Sequence, residues 1–230
     1  MITAAKKEAL EIIKTKCKEK KSNLIIIDNK IWKRLHNQEF IINGHLKDYQ
    51  VKRNIIGFFQ GENIALSIFA TEILQMNGVF ITDENIIEGI KNAENPGRME
   101  IISNNPIILL DGAHNISGMS ALKDAIKADF IYDNLILIIG ILSDKNIDEM
   151  LNIIIPIADI VITTKSDNKR AINPSILKEK IKKMDKCKKV FSIDKIGNAV
   201  DQAKNLAKKD DLILITGSLF TVGNARDYLL

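Results

Sequence analysis

The chain has 230 residues, 46% of them hydrophobic and 27% charged, which is enough apolar material for a buried core and argues against general disorder. Its formal net charge of +4 and 5% aromatic content exclude a strongly basic, aromatic-rich platform for nucleic acid. Two cysteines, Cys17 and Cys187, supply neither a disulfide framework nor a Cys-rich zinc site, which points to a reducing cytoplasm.

In chain order, residues 4–20 read as an amphipathic helix and Leu24–Ile27 as a short buried strand ending at Asp28-Asn29. The opening MITAAKKEAL has no apolar core of the kind a signal peptide carries, and no apolar run reaches the roughly 18 residues of a membrane span. Residues 39–51 suggest a hairpin around Asn43-Gly44. Trp32 and Tyr49 read as packing a small core. Helices are expected over about 60–77 and from Thr82 to about Ala93. Asn95-Pro96-Gly97 breaks the pattern and marks a boundary between residues 1–95 and 96–230.

Beyond that boundary, strands read at 99–103, 106–110, 135–140, 159–163, 189–193 and 212–216. They alternate with helices at 116–127, 146–155, 174–184, 196–208 and 219–229. Continuously apolar strands such as Leu135–Ile139 predict an α/β fold with a mostly parallel sheet covered on both faces. Ligands of such sheets bind where the strands end, so the residues just after each strand are the candidates. Asp111 can accept from ribose hydroxyls or hold a cation, and His114-Asn115 open a helix whose free N–H groups favour an anion. Arg98 can stack on a base or pair with phosphate. The Gly217-Ser218 turn suits a carboxylate. The plainer readings are that Asp111, Asn115 and Ser218 cap turns and helices and that Arg98 is a solvated linker charge.

His36 and His45 lack partners at metal-ligand spacing. Cys17 and Cys187 lie among lysines with no His or Asp to make either a nucleophile. The Lys-rich stretch at 178–189 reads as the solvated face of a helix. No G-x-x-x-x-G-K-[ST] phosphate loop occurs.

The order Pro96-Gly97-Arg98, Asp111-Gly112-Ala113-His114-Asn115, Gly140 with Asp144-Lys145, then Thr216-Gly217-Ser218-Leu219-Phe220 with Gly223 and Ala225-Arg226 resembles the C-terminal part of the folylpolyglutamate synthase/dihydrofolate synthase family, in the Mur ligase superfamily. Phe59-Gln60-Gly61-Glu62-Asn63-Ile64-Ala65 is similar to that family's His-Gln-x-x-Asn-Ala helix start, with Phe59 in place of His. The resemblance implies a Rossmann-like C-terminal domain preceded by a remnant of the central ATPase domain. It implies an ATP-dependent ligase of one-carbon metabolism that joins L-glutamate to a folate- or pteroate-type carboxylate through an acyl phosphate.

By resemblance, Asn63, Arg98, Asp111 and His114 face ATP, with His114 the one candidate for a catalytic role. Lys145, Ser218 and Asn115 face glutamate. ATP and Mg²⁺ are the implied cofactors, with the phosphate loop and magnesium ligands expected in an N-terminal half that this sequence does not carry. The chain is then a fragment or one product of a split gene, inactive alone, with that ATPase half as its partner and neither nucleic acid nor membrane expected. The competing readings are a free-standing nucleotide- or amino-acid-binding module without chemistry, and another Mur-type amide ligase.

Overall fold

A computed structural model describes residues 1–35, 38–53, 57–184 and 189–230. His36 and Cys187, both considered above, lie outside these. Two compact units form, Met1–Glu94 and Asn95–Leu230.

The first unit begins with β1 (Ile2–Thr3), α1 (Lys7–Glu19) and β2 (Ile25–Ile26), with β1 and β2 paired in parallel. Then come β3 (Trp32–Arg34), β4 (Glu39–Asn43), β5 (Asp48–Lys52), α2 (Gln60–Met76) and α3 (Asp83–Lys91). Strands β3, β4 and β5 make an antiparallel sheet. Alternation decides which face is buried: Phe40 and Ile42 of β4 and Tyr49 and Val51 of β5 turn inward. They share a core with Ile64, Ile68 and Phe69 of α2 and with Ile86 and Ile90 of α3. Gly61 lets α2 approach Trp32, because a Cβ there would stand 2.1 Å from the indole.

Three expectations change in this unit. The first helix is shorter than 4–20, running Lys7–Glu19, and Ile2 and Thr3 before it form a strand. Its pattern is also not that of a buried face: Cys17 is the one buried residue of α1, while Ile12 is exposed. The hairpin does not turn at a two-residue Asn43-Gly44. Asn43 pairs with Asp48, and a four-residue loop closes with the Gly44 N–H donating to Lys47 O at 3.0 Å. The fully buried Glu72 carboxylate holds that loop, accepting from the N–H groups of His45 at 2.6 Å and Leu46 at 2.9 Å. Glycine at 44 is required there, because a Cβ would lie 2.5 Å from Lys47 O and 2.7 Å from Glu72 Oε1.

The second unit runs β6 (Glu100–Asn104), β7 (Ile107–Leu110), α4 (Ile116–Asp129), β8 (Leu135–Ile139), α5 (Ile147–Ile154), β9 (Ile160–Thr163), α6 (Pro174–Lys183), β10 (Lys189–Ser192), α7 (Ile196–Leu206), β11 (Leu212–Thr216) and α8 (Leu219–Leu229). Its six-stranded sheet has the order β10-β9-β8-β11-β7-β6, all parallel except β6. One face carries Leu110, Ile138, Ile162 and Ile215 against Ala199 and Val200 of α7 and Val222 and Ala225 of α8. The central strands β8 and β11 are buried at every position, as a sheet covered on both faces requires.

Candidate functional site

The sheet topology gathers the site. β7 and β8 are consecutive along the chain but flank β11, so the connections diverge on either side of it, and a crevice of this kind at the strands' carboxyl ends is where open α/β sheets bind ligands. Because β6 runs antiparallel, its beginning rather than its end lies at that edge: Glu100 pairs with Leu110. That register places Pro96-Gly97-Arg98 beside Asp111.

Asp111 is 5% exposed. Its Oδ2 accepts the Met99 N–H at 3.0 Å and its Oδ1 the Ala113 N–H at 2.9 Å. The Gly112 N–H donates to Gly97 O at 2.7 Å. Burial pushes the Asp111 carboxyl above its ordinary value, against the opposing pull of the two N–H groups and of the Arg98 and His114 charges. The adjoining turn is held in its own way: the Gly97 N–H donates to Glu100 Oε2 at 2.7 Å, and Arg226 Nε donates to both Glu100 oxygens at 3.0 and 3.1 Å. Glycine serves twice here. Gly97 has φ +70°, and a Cβ on Gly112 would meet Leu219 at 2.3 Å. Arg98, half-buried, is thus set by a turn tied down on both sides.

His114 Nδ1 lies 2.8 Å from Gly112 O. A carbonyl can only accept, so this contact places the proton on Nδ1, and in the neutral ring Nε2 is an acceptor. Asn115 caps α4, with Oδ1 accepting the Gly118 N–H at 2.7 Å. That use leaves its Nδ2 as the donor.

Ser218 caps α8 and is 1% exposed. Its Oγ accepts the Thr221 N–H at 3.0 Å and lies 2.8 Å from Thr221 Oγ1. The Thr221 hydroxyl donates to Gly140 O at 3.0 Å, so the Ser218 hydrogen goes to Thr221. That hydroxyl therefore keeps no hydrogen for a ligand. What this end of α8 offers a carboxylate is its first N–H groups, at Leu219 and Phe220, which have no partner within the helix. Gly217, at φ +108°, allows the strand-to-helix turn, where a Cβ would stand 2.6 Å from Gly140 O.

Lys145 Nζ pairs with Asp144 Oδ2 at 2.8 Å, and Arg170 Nη1 lies 3.5 Å from Asp144 Oδ1. The Asp144 carboxyl sits below its ordinary value, mainly through its hydrogen bond from Lys145. Nothing in the sequence singles out Arg170. It comes to Asp144 because the loop after β8 is pinned to residues 170–172, with the Ser143 N–H donating to Arg170 O at 2.8 Å and the Ile172 N–H to Ile141 O at 3.0 Å. Two more buried hydroxyls lie at this edge, Thr216 Oγ1 on the last residue of β11 and Ser166 Oγ shortly after β9, and neither has a hydrogen-bond partner among the described residues. Asn63 belongs to the first unit, where it is exposed on the first turn of α2 and donates to Gln60 Oε1 at 3.1 Å.

The family described as "Mur ligase, glutamate ligase domain" matches residues 97–219. That span starts inside the Arg98 turn, ends at the first residue of α8 and takes in every loop of this edge. The chain belongs to the Mur ligase family. It is 31% identical over 176 residues to a probable bifunctional folylpolyglutamate synthase/dihydropteroate synthase of Haloferax volcanii, covering 76% of this chain and 20% of that protein. It is 29% identical over 194 residues to the dihydrofolate synthase/folylpolyglutamate synthase of Bacillus subtilis, covering 84% of this chain and 44% of that protein. The folylpolyglutamate synthase of Mycobacterium tuberculosis, solved with ADP and AMPPCP, superposes with a TM-score of 0.86 at 22% identity, over 99% of this chain and 54% of that one. This Mur ligase chain therefore spans less than half of those two curated relatives and about half of the solved structure.

Among the described residues no group of three His, Cys, Asp or Glu is placed to hold a metal ion. Among the same residues, no helix is long and apolar enough to cross a membrane.

Proposed function

We propose that this chain is the glutamate-ligase half of an ATP-dependent amide ligase of the folylpolyglutamate/dihydrofolate synthase kind, acting on a folate- or pteroate-type carboxylate. In this reading the first unit is a remnant of the central domain, and the phosphate loop and magnesium ligands come from the other half. The observation that carries the reading is the locking of the Arg98 turn, the Asp111–Asn115 loop and the start of α8 into one edge, all within the span matched by a glutamate ligase domain.

The reaction is written in two steps. The γ-phosphoryl group of ATP passes to the substrate carboxylate, giving an acyl phosphate and ADP. The amino nitrogen of L-glutamate attacks the acyl carbon and loses a proton, and phosphate leaves with the electrons of the C–O bond. This chain's residues bind and orient. Arg98 offers a guanidinium to base or phosphate, and Asp111 has lone pairs left for ribose hydroxyls. His114 Nε2 accepts beside the nucleotide. Asn63 contributes an amide to the adenine side. Lys145, Asn115 Nδ2 and the N–H groups that open α8 hold glutamate carboxylates. Positioning of this kind supplies most of what phosphoryl transfer asks of a protein.

A chimera that replaces the matching C-terminal part of the Bacillus subtilis relative with this chain tests the reading. The expected result is ADP formation dependent on both L-glutamate and dihydropteroate. Lys145→Ala in the chimera is expected to raise the glutamate requirement by about tenfold and leave the ATP requirement nearly unchanged. A folded chimera that binds nucleotide yet forms no glutamate-dependent ADP would favour a binding module. Equal effects of Lys145→Ala on both substrates would remove that lysine from the glutamate site.

A further inference from the structure

In the first unit, α2 and α3 border a cavity of about 380 Å³ that is open to solvent, at the small end of the range for organic ligands. Its apolar wall includes Ile64, Ile81, Ile86 and Ile90, and Arg53 lines it. Arg53 is 9% exposed and lies just after β5. Its Nη1 donates to Gln60 Oε1 at 3.0 Å, and its Nε is buried without a hydrogen-bond partner. Burial lowers its pKa, and no carboxylate contributes to that shift. A largely buried guanidinium with no counter-ion among the described residues is costly to keep charged, and a carboxylate brought against it offsets that cost.

The other polar groups of the wall complement it. Asn85 spends Oδ1 on the N–H and hydroxyl of Thr82, at 3.0 Å each, which leaves its Nδ2 as a second donor. The hydroxyls of Ser67 and Thr71 donate to backbone carbonyls and so present lone pairs. Among the described residues, no acidic residue lines the cavity.

We propose that this cavity is a binding site for a small organic monocarboxylate with an apolar body, its carboxylate held by Arg53 and Asn85 and its body against the isoleucines. The site belongs wholly to the first unit and does not depend on the ligase reading.

The test is calorimetric titration of the full chain with benzoate as the probe, benzamide as its uncharged isostere and inorganic phosphate as an anion without an apolar body. Benzoate is expected to saturate and to bind at least about tenfold more tightly than either control. Arg53→Gln is expected to abolish the preference for benzoate over benzamide. Because Arg53 is buried and that variant can fail to fold, Gly89→Leu supplies a second arm: Gly89 lines the cavity and has open space where a Cβ would stand, so a larger side chain can be carried there with Arg53 itself unchanged. It is expected to weaken benzoate and benzamide alike. The proposal is overturned if benzoate does not saturate by roughly 10 mM, if benzamide or phosphate binds as well, or if benzoate binding is unchanged in the folded variants.

Discussion

Two buried aspartates close opposite edges of the same sheet. Asp211, at the amino edge before β11, is 2% exposed and accepts three bonds: from the Lys208 N–H at 2.8 Å, the Asn134 side chain at 2.9 Å and the Asn134 N–H at 3.0 Å. Burial alone would raise its pKa, but these donors and the Lys208 charge outweigh it, and the net direction is down. Asp111, at the carboxyl edge, has two backbone donors, and there burial prevails and the direction is up. Among the described residues, the Thr216 hydroxyl, on the last residue of β11, and the Ser166 hydroxyl, after β9, are unpartnered on Asp111's side. The amino edge spends its polar groups on the fold, whereas the carboxyl edge keeps capability in reserve, as a binding edge must.

The largest expected effect is therefore at the amino edge. Asp211→Ala orphans three donors and should cost about 3 kcal/mol, read from the urea dependence of amide exchange in β11. Asp111→Ala orphans two but also removes a charge that burial disfavours, and should cost about 1–2 kcal/mol. The reverse order would break the comparison.

The pH dependence sharpens it. A depressed folded-state pKa means that Asp211 stabilises above the unfolded value, near 3.8, and that this stability is lost as pH falls through the lower folded value. A raised pKa means that Asp111 is tolerated better as its proton is bound, so its contribution worsens as pH rises from 3.8 through the raised value. Between pH 6 and pH 3, wild type should lose its advantage over Asp211→Asn while gaining relative to Asp111→Asn. Parallel trends would contradict the contrast.

The smallest expected effect concerns Thr216. Thr216→Val removes a hydroxyl with no partner at nearly constant shape, and stability should stay within about 1 kcal/mol of wild type or rise. A larger loss would show that the hydroxyl is engaged in the fold.

One side of this contrast is legible in the sequence, the carboxyl edge, whereas nothing there singles out Asp211 or Asn134. The strand and helix alternation of the second unit is written in apolar runs such as Leu135–Ile139 and Leu212–Ile215, and the topology follows from them. The site loops were legible because glycine and polar residues fall directly after each run. What sequence could not supply is the use each polar atom is put to. Ser218 donates inward only because Thr221 already donates to Gly140, and Arg170 reaches Asp144 only through a loop pairing far from both in sequence. Strand β1, two residues long, and β3, three residues long, carry too little periodicity to be read. The Gly44 turn is decided by Glu72, a residue 28 positions away whose burial no local pattern announces.

The measurement that bears most directly on the account is a titration of the chain with ADP, followed residue by residue in backbone amide spectra. The account predicts saturable shifts at Arg98, at Gly112–Asn115 and at the first residues of α8, with Asn134 and Asp211 unmoved. No shift at the carboxyl edge, or equal shifts at both edges, would contradict it.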